Sequence, residues 1–400
     1  MKILLLQDDF APESKGGSAV VVEGVAKALV AAGHQVLVVC TTQRKESAGE
    51  GVWQGVAVHR IYSDYHERWR AWVSLYNPTC VRALHSILVH WKPDVVHAHN
   101  IHTHLSYASL KEAKKTGARV FLTAHDVMLV QYGKYDPNER WWKTVLRLRL
   151  RYNPLRNVCI RYYIRFVDQV FSVSAAVERV LREYAVPSAV LHNGIAVEAW
   201  KQSTDIKQQF ITEHGLMGKP ILLFGGRISP AKGGSVIVEV LNCVRESVPE
   251  TTLLLLGKET AYTQALQKKA EALGMPNALV CTGWLAGEKL QAAYWSANVV
   301  LVPSLYLDPL PTVVLEAMAC SKPVVGTPLG GLPEMVVNGT TGYVVDPHNV
   351  ERFAGAITSL LQDSALATKM GRAGYERVVT EFTLERHVQK LHTLYEKDTA

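Results

Sequence analysis

Two carboxylates, Asp308 and Glu316, bracket seven residues within LVPSLYLDPLPTVVLEAMACSKPVVGTPLGGLPE, the stretch from Leu301 to Glu334. Glu316 is the only charge in TVVLEAMAC, Thr312 to Cys320, and a helix that is apolar all round is normally buried. A buried carboxylate has to be satisfied, either by a group of the fold or by a ligand. Asp308 precedes Pro309 and Pro311. Proline does not fit a helix interior, so Asp308 belongs to a loop and the helix starts at Pro311 or Thr312. The apolar run VVLVPS, 299–304, reads as a buried strand just before it. Acids in that place stand where open α/β sheets bind ligands, beyond the carboxyl ends of the strands.

Cations follow a second apolar run. LLFGGRISPAKGG, Leu222 to Gly234, sets Arg227 and Lys232 in a glycine-rich loop that opens a helix. Two cations beside a helix N-terminus suit a pyrophosphate; the plainer alternative is a solvated basic loop. GTPLGGLPEMV, Gly326 to Val336, repeats the strand, glycine turn and helix, so Gly330 and Gly331 could supply backbone donors. Glu334 falls in that helix's first turn, where its charge suits the dipole. Near the start, Gly16 and Gly17 follow the first strand and open a helix. The pattern is not G-x-G-x-x-G, and the second strand ends in Cys40, Thr41 and Thr42 rather than an acid, which disfavours a dinucleotide. His125 ends the run RVFLTAHD beside Asp126, a place that faces the crevice of a doubly wound domain. His97, His99, His102 and His104 invite a metal reading, but the first pair follows strand spacing and no local Cys or carboxylate joins them.

Two series of elements must position these groups. The first runs through KILLLQ (2–7), HQVLVVCT (34–41), VAVHRIY (56–62), DVVHAH (94–99), RVFLTAHD (119–126) and QVFSVS (169–174), with helices near 17–32, 76–91, 104–116 and up to about 184. The second runs through PILLFGG (220–226), TTLLLLG (251–257), ALVCTG (278–283), VVLVPS (299–304) and PVVGTP (323–328). Near-continuous apolar strands alternating with helices predict parallel sheets covered on both faces. Two such series predict two doubly wound α/β domains, joined near 193–211. An amphipathic helix, FTLERHVQKLHTLYEK, closes the chain behind a Thr cap.

No apolar run is long enough to span a bilayer, and the opening MKILLLQDDF reads as a strand rather than a signal peptide. The six cysteines are scattered without a C-x-x-C pair, which points to a reducing compartment and away from zinc or a disulfide framework. Residues 1–200 hold 25 Lys and Arg against 17 Asp and Glu, and residues 201–400 hold 18 against 19. The whole excess of positive charge therefore lies in the first half and predicts an anionic partner there. Its densest part, Trp141 to Phe166 (WWKTVLRLRLRYNPLRNVCIRYYIRF), has seven basic residues and no acid. Such a segment suits an anionic membrane surface; Trp141, Trp142, Lys143, Arg147, Arg149 and Arg151 are its candidate contacts. Nucleic acid and a solvated face over a packed stripe are the alternatives, and nucleic acid is not expected.

The series of GG, HAHN, TAHD, HNG, GGRISPAKG, TGWL, the spaced acids, EAMACSKPVVGT and GGLPE resembles the retaining GT4 glycosyltransferases of the GT-B fold over nearly the whole chain. That resemblance implies two Rossmann-like domains facing a central cleft. Residues 1–192 would form an acceptor-side domain, residues 193–379 would bind a nucleotide sugar, and residues 380–400 would pack back on the first domain. It implies that Arg227 and Lys232 clamp the diphosphate, that Glu316 holds the ribose hydroxyls and that Leu285 meets the base through its backbone. Asp308, where the family usually has Glu, would stand near the sugar, with Leu310, Pro311 and Thr312 contacting sugar and phosphate through backbone. His125, Gly16 and Gly17 would approach from the first domain. Arg227, Lys232, Asp308 and His125 are the implied catalytic set, with no metal and no other cofactor. The expected activity is hexosyl transfer, with retention, to a lipid-linked or growing glycan acceptor by a cytoplasmic enzyme peripheral to the membrane. Alternatives are a soluble acceptor, a non-catalytic nucleotide-sugar-binding protein, and a GT-B nucleotide-sugar epimerase.

Overall fold

The structure, a computed structural model, describes residues 1–13, 16–131, 143, 146 and 155–396. The chain divides into two compact units: Met1–Gly194 with Leu384–Ala400, and Ile195–Thr383.

The first unit is built on eight strands: β1 (Lys2–Leu6), β2 (Gln35–Thr42), β3 (Gly49–Trp53), β4 (Val56–Tyr62), β5 (Val95–Ala98), β6 (Arg119–Ala124), β7 (Gln169–Ser172) and β8 (Ala189–Val190). They lie in the order β3-β4-β2-β1-β5-β6-β7-β8. Every pairing is parallel except β3 with β4. Ile3 faces Val36 on one side and Val95 on the other. This is why Ile3–Leu6 reads as an unbroken apolar run: a central parallel strand has no solvent face. The order reverses beside β1, because the chain moves outward through β2 and then returns to start β5 on the other flank. The loops after β1 and β5 therefore diverge at a topological switch point. The final helix, Leu384–Glu396, adds Val388, Leu391 and Tyr395 to this unit's core. A side chain such as Leu391, fully buried there, contributes about 1.5–3 kcal/mol.

The second unit has β9 (Ile221–Gly225), β10 (Thr252–Leu256), β11 (Leu279–Cys281), β12 (Val299–Val302), β13 (Val324–Gly326) and β14 (Gly342–Val344). All pairings are parallel, in the order β11-β10-β9-β12-β13-β14. The reversal falls between β9 and β12, the two strands followed by the Arg227–Lys232 loop and the Asp308 loop. Two glycines make the close approach of these loops feasible. Gly233 has φ +85°, and a Cβ there would come 2.1 Å from the Pro303 carbonyl oxygen. Gly330 has φ +89°, and a Cβ there would strike the Asp308 backbone. Side chains at either position would force the loops apart.

Several elements differ from the sequence expectation. The short strands β3, β8 and β14 lack a long apolar run because each lies at or next to a sheet edge. The helix Thr204–Glu213 belongs to the second unit, so half of the expected link is structured. Its single fully buried side chain, Phe210, gives too weak a periodic signal to stand out.

Candidate active site

The parallel order of the second sheet brings together two loops that lie 76 residues apart in the chain. Lys232 Nζ donates to Asp308 Oδ2 at 2.5 Å. Ser304 Oγ donates to the same oxygen at 2.8 Å, and Tyr306 OH donates to Asp308 Oδ1 at 3.4 Å. The ammonium also lies 5.5 Å from the Tyr306 ring centroid. Backbone bonds hold the constellation: Leu305 N–H donates to the Ala231 carbonyl at 2.8 Å, and Gly331 N–H donates to the Asp308 carbonyl at 2.9 Å. Gly331 thus uses its amide inside the fold rather than offering it to an anion. Burial pushes the Lys232 ammonium toward the neutral form, but the Asp308 carboxylate and Tyr306 more than offset this and raise its pKa. The lysine is held charged. An ammonium has three donors, so its bonds to Asp308 and Tyr306 leave one for an anion.

Arg227 behaves differently. It is exposed, in the same loop, and makes no ion pair among the described residues. Leu310 and Pro311 are buried and Thr312 is half-buried where the loop enters the helix Thr312–Ala319.

Glu316, inside that helix, is not left unsatisfied. Tyr294 OH donates to Glu316 Oε2, and Thr312 adds a side-chain hydrogen bond. Burial raises the carboxyl pKa, and the two hydrogen bonds act against that rise. Tyr294 is itself buried on the helix Gly287–Ser296. Its hydroxyl sits against the end of β9, 3.5 Å from where a Cβ on Gly225 would lie. Sequence reasoning identified Glu316 but missed Tyr294, Ser304 and Tyr306. Ser304 and Tyr306 flank the already suspicious carboxyl end of β12; Tyr294 lies in an ordinary amphipathic helix and gave no signal.

Leu285 lies in the loop after β11. That loop is tied to the loop after β10 by the Gly257–Gly283 bridge, and Gly257 packs on Gly226 and Ile228. It therefore shares the edge of the sheet with Arg227.

In the first unit Gly16 is extended and Gly17 is the first residue of the helix Gly17–Ala31. The switch-point loops are tied by neutral side chains: Asn100 N–H donates to Gln7 Oε1 at 3.1 Å, and Asn100 Nδ2 to Ser18 Oγ at 2.8 Å. Asp8 accepts from the amides of Thr103, His104 and Leu105 at 2.6–2.8 Å, which pins the loop after β5. His125 follows β6, with Nε2 3.0 Å from His99 Nδ1. Burial holds its pKa down at about 4 despite Asp126 beside it. His97 bonds to Tyr395 OH at 2.5 Å and to Thr123 Oγ1 at 2.8 Å. The histidine run thus serves hydrogen bonds within the unit, and among the described residues no group of three His, Cys, Asp or Glu could hold a metal ion. Of the basic segment, Lys143 is exposed; Trp141, Trp142, Arg147, Arg149 and Arg151 lie outside the described residues.

Residues 206–377 match the family described as Glycosyl transferases group 1, and residues 15–199 match Glycosyltransferase Family 4. The chain is a GT-B glycosyltransferase related to these two families. This glycosyltransferase is 27% identical to a glycogen synthase of Mycobacterium tuberculosis, over 96% of its own length and 91% of the relative's. It is 34% identical to a GDP-mannose-dependent alpha-(1-6)-phosphatidylinositol monomannoside mannosyltransferase of Mycolicibacterium smegmatis, over 47% of its own length and 51% of the relative's. Among solved structures, a sucrose-phosphate synthase from Thermosynechococcus elongatus superposes with a TM-score of 0.79 at 22% identity, covering 99% of this chain and 98% of that one. Anabaena HepE in complex with UDP and glucose superposes with a TM-score of 0.76 at 18% identity, covering 98% and 99%. Those two likenesses establish the fold.

Proposed function

We propose that this glycosyltransferase moves a hexosyl group, with retention, from a nucleoside-diphosphate sugar to a soluble carbohydrate acceptor. The Lys232–Asp308 pair at the switch point of the second sheet, with Arg227 exposed beside it, carries the reading. In the reaction the bond from the anomeric carbon to the diphosphate oxygen breaks, and negative charge grows on the departing phosphate. A lysine held charged and an arginine with unused donors stabilise that charge as it develops, the preorganised form of electrostatic catalysis. The acceptor hydroxyl attacks from the face the phosphate leaves, and the phosphate oxygen takes its proton. Asp308 orients Lys232 and lies within reach of a sugar. Glu316, held by Tyr294 and Thr312, is the ribose ligand. His125 is the first unit's group for a substrate oxygen, and its depressed pKa makes it neutral there.

The soluble acceptor rests on the relative matched over almost the entire chain, a glycogen synthase. The phosphatidylinositol mannosyltransferase is matched over only about half. A lipid-linked acceptor is the second reading. It is favoured by the basic aromatic sequence 141–166 and by the exposed Trp69, Trp72 and Tyr76 of the same unit, since such aromatics suit a headgroup region.

A thermal-shift screen against UDP-, GDP- and ADP-sugars selects the donor, because specific binding raises apparent stability. Nucleoside diphosphate release is then followed with glucans and sugar phosphates, and separately with vesicles carrying lipid-linked sugars. Release accelerated by a soluble acceptor supports the proposal; acceleration by vesicles alone replaces it with the lipid reading. A donor that binds but is never cleaved marks a binding protein, and an isomerised donor marks an epimerase.

A further inference from the structure

His125 has two ring nitrogens, and which one carries its proton decides what it can do to a substrate. Nε2 is committed to His99 Nδ1 at 3.0 Å. Nδ1 bonds to no described residue, and the ring is half-buried, so Nδ1 is the atom available to a ligand.

His99 is 4% exposed, and its Nε2 is buried without a hydrogen-bond partner. Its pKa is well below the ordinary value, first because of burial and then because of neighbouring histidines. The ring is therefore neutral and holds one proton. Placed on Nε2, that proton would be a buried donor with no acceptor, the rarest kind of unsatisfied group. Placed on Nδ1, it makes the bond to His125. The plane of the ring is held by its neighbour. It stacks on His97 at 4.3 Å between centroids and 25° between planes. His97 is in turn fixed at both nitrogens by Tyr395 and Thr123.

We propose that His99 is a positioning residue that donates through Nδ1 to His125 Nε2 and so fixes His125 as the Nδ1–H tautomer. His125 then offers a donor to a sugar or phosphate oxygen and has no free lone pair with which to deprotonate an acceptor hydroxyl. This deepens the proposed transfer reaction and rests on it for the placement of His125 at the substrate; the tautomer itself does not.

The test uses the full-length protein labelled with ¹⁵N-histidine and the variants His99→Asn, His99→Gln and His99→Leu. The amide of Asn overlays the imidazole Nδ1, whereas that of Gln overlays Nε2. In the wild type and in His99→Asn, His125 is expected to show a protonated Nδ1 and a bare Nε2. In His99→Gln and His99→Leu it should become a mixture or invert. Transfer should fall about 10-fold in kcat for the Leu and Gln variants, the size of one net hydrogen bond, and recover most of its rate in the Asn variant. A merely structural role would track melting temperature rather than the Asn–Gln distinction. Wild-type His125 protonated on Nε2, or a tautomer unmoved by His99→Leu, overturns the proposal. A tautomer that inverts while transfer is unchanged supports the His99 assignment and instead removes His125 from the transfer reaction.

Discussion

The two units answer the same structural situation with opposite chemistry. Both are doubly wound, and both gather loops beside the strand where the order reverses. In the second unit those loops carry full charges: an ammonium on a carboxylate, and in the same loop as the ammonium an exposed guanidinium without an ion pair among the described residues. In the first, the Asp8 carboxylate is turned onto three backbone amides, and around it stand Gln7, Asn100, Ser18 and a file of histidines whose pKa values burial drives down. The contrast teaches that a sheet topology fixes where a ligand can sit, while the loops decide whether it meets charge or hydrogen bonds. A diphosphate needs charge; sugar hydroxyls are recognised by neutral donors and acceptors.

Breaking the charged side should have the largest effect. Lys232→Ala and Arg227→Ala are each expected to lower kcat/KM by about 10²-fold or more, the scale of one lost transition-state donor. Near-normal turnover in both variants would dissolve the contrast between the units. The same pair should separate stability from catalysis. Asp308→Ala leaves a largely buried ammonium without its carboxylate and should cost about 1–3 kcal/mol in chemical denaturation. Arg227→Ala, at an exposed site, should stay within about 0.5 kcal/mol.

The neutral side is probed by pH. His97, His125 and His387 have folded pKa values of about 3, 4 and 4 against an ordinary 6.5, with burial as the leading cause. Between pH 6.5 and about 4 the unfolded chain binds protons that the folded chain refuses, so folding stability falls as pH drops through that window. Each such histidine contributes a slope of up to about 1.4 kcal/mol per pH unit. The facing groups are Asp126, His387 and His102 around His125, His387 and His125 around His97, and Lys390 and His192 around His387. Denaturation midpoints flat from pH 7 to 5 would show that these histidines are solvated.

The smallest effect should come from Tyr294→Phe, which removes one hydrogen bond from Glu316. We expect donor KM to rise about 5–10-fold, near 1–1.4 kcal/mol, with kcat little changed. An unaltered KM would mean that Thr312 alone positions the carboxylate. Chelation of divalent cations is expected to leave transfer at its full rate; a loss restored by one metal would reopen the histidine cluster.

Much of this protein was legible in its residues. Unbroken apolar runs such as Ile3–Leu6 and Leu253–Leu256 announce strands covered on both faces, because burial on two sides removes the need for alternation. The prolines around Asp308 ended one element and started the next, since proline restricts the backbone locally. A lone Glu in TVVLEAMAC demanded a partner by the cost of burying charge. Those inferences depend on neighbours in sequence. The sequence alone did not reveal that Lys232 and Asp308, assigned separate tasks, hold each other. It also did not show that Tyr294 satisfies Glu316, or that His99 faces His125. Those pairings join residues 22 to 76 positions apart. Lys232 meets Asp308, and His99 meets His125, because parallel strands align their carboxyl ends on one edge of a sheet, whereas Tyr294 and Glu316 reach each other from two helices. The chain itself thus determined which groups were available and which had to be satisfied. Only the tertiary structure decided which of them meet, because strand order is set by the packing of whole helices and sheets and leaves no local signature.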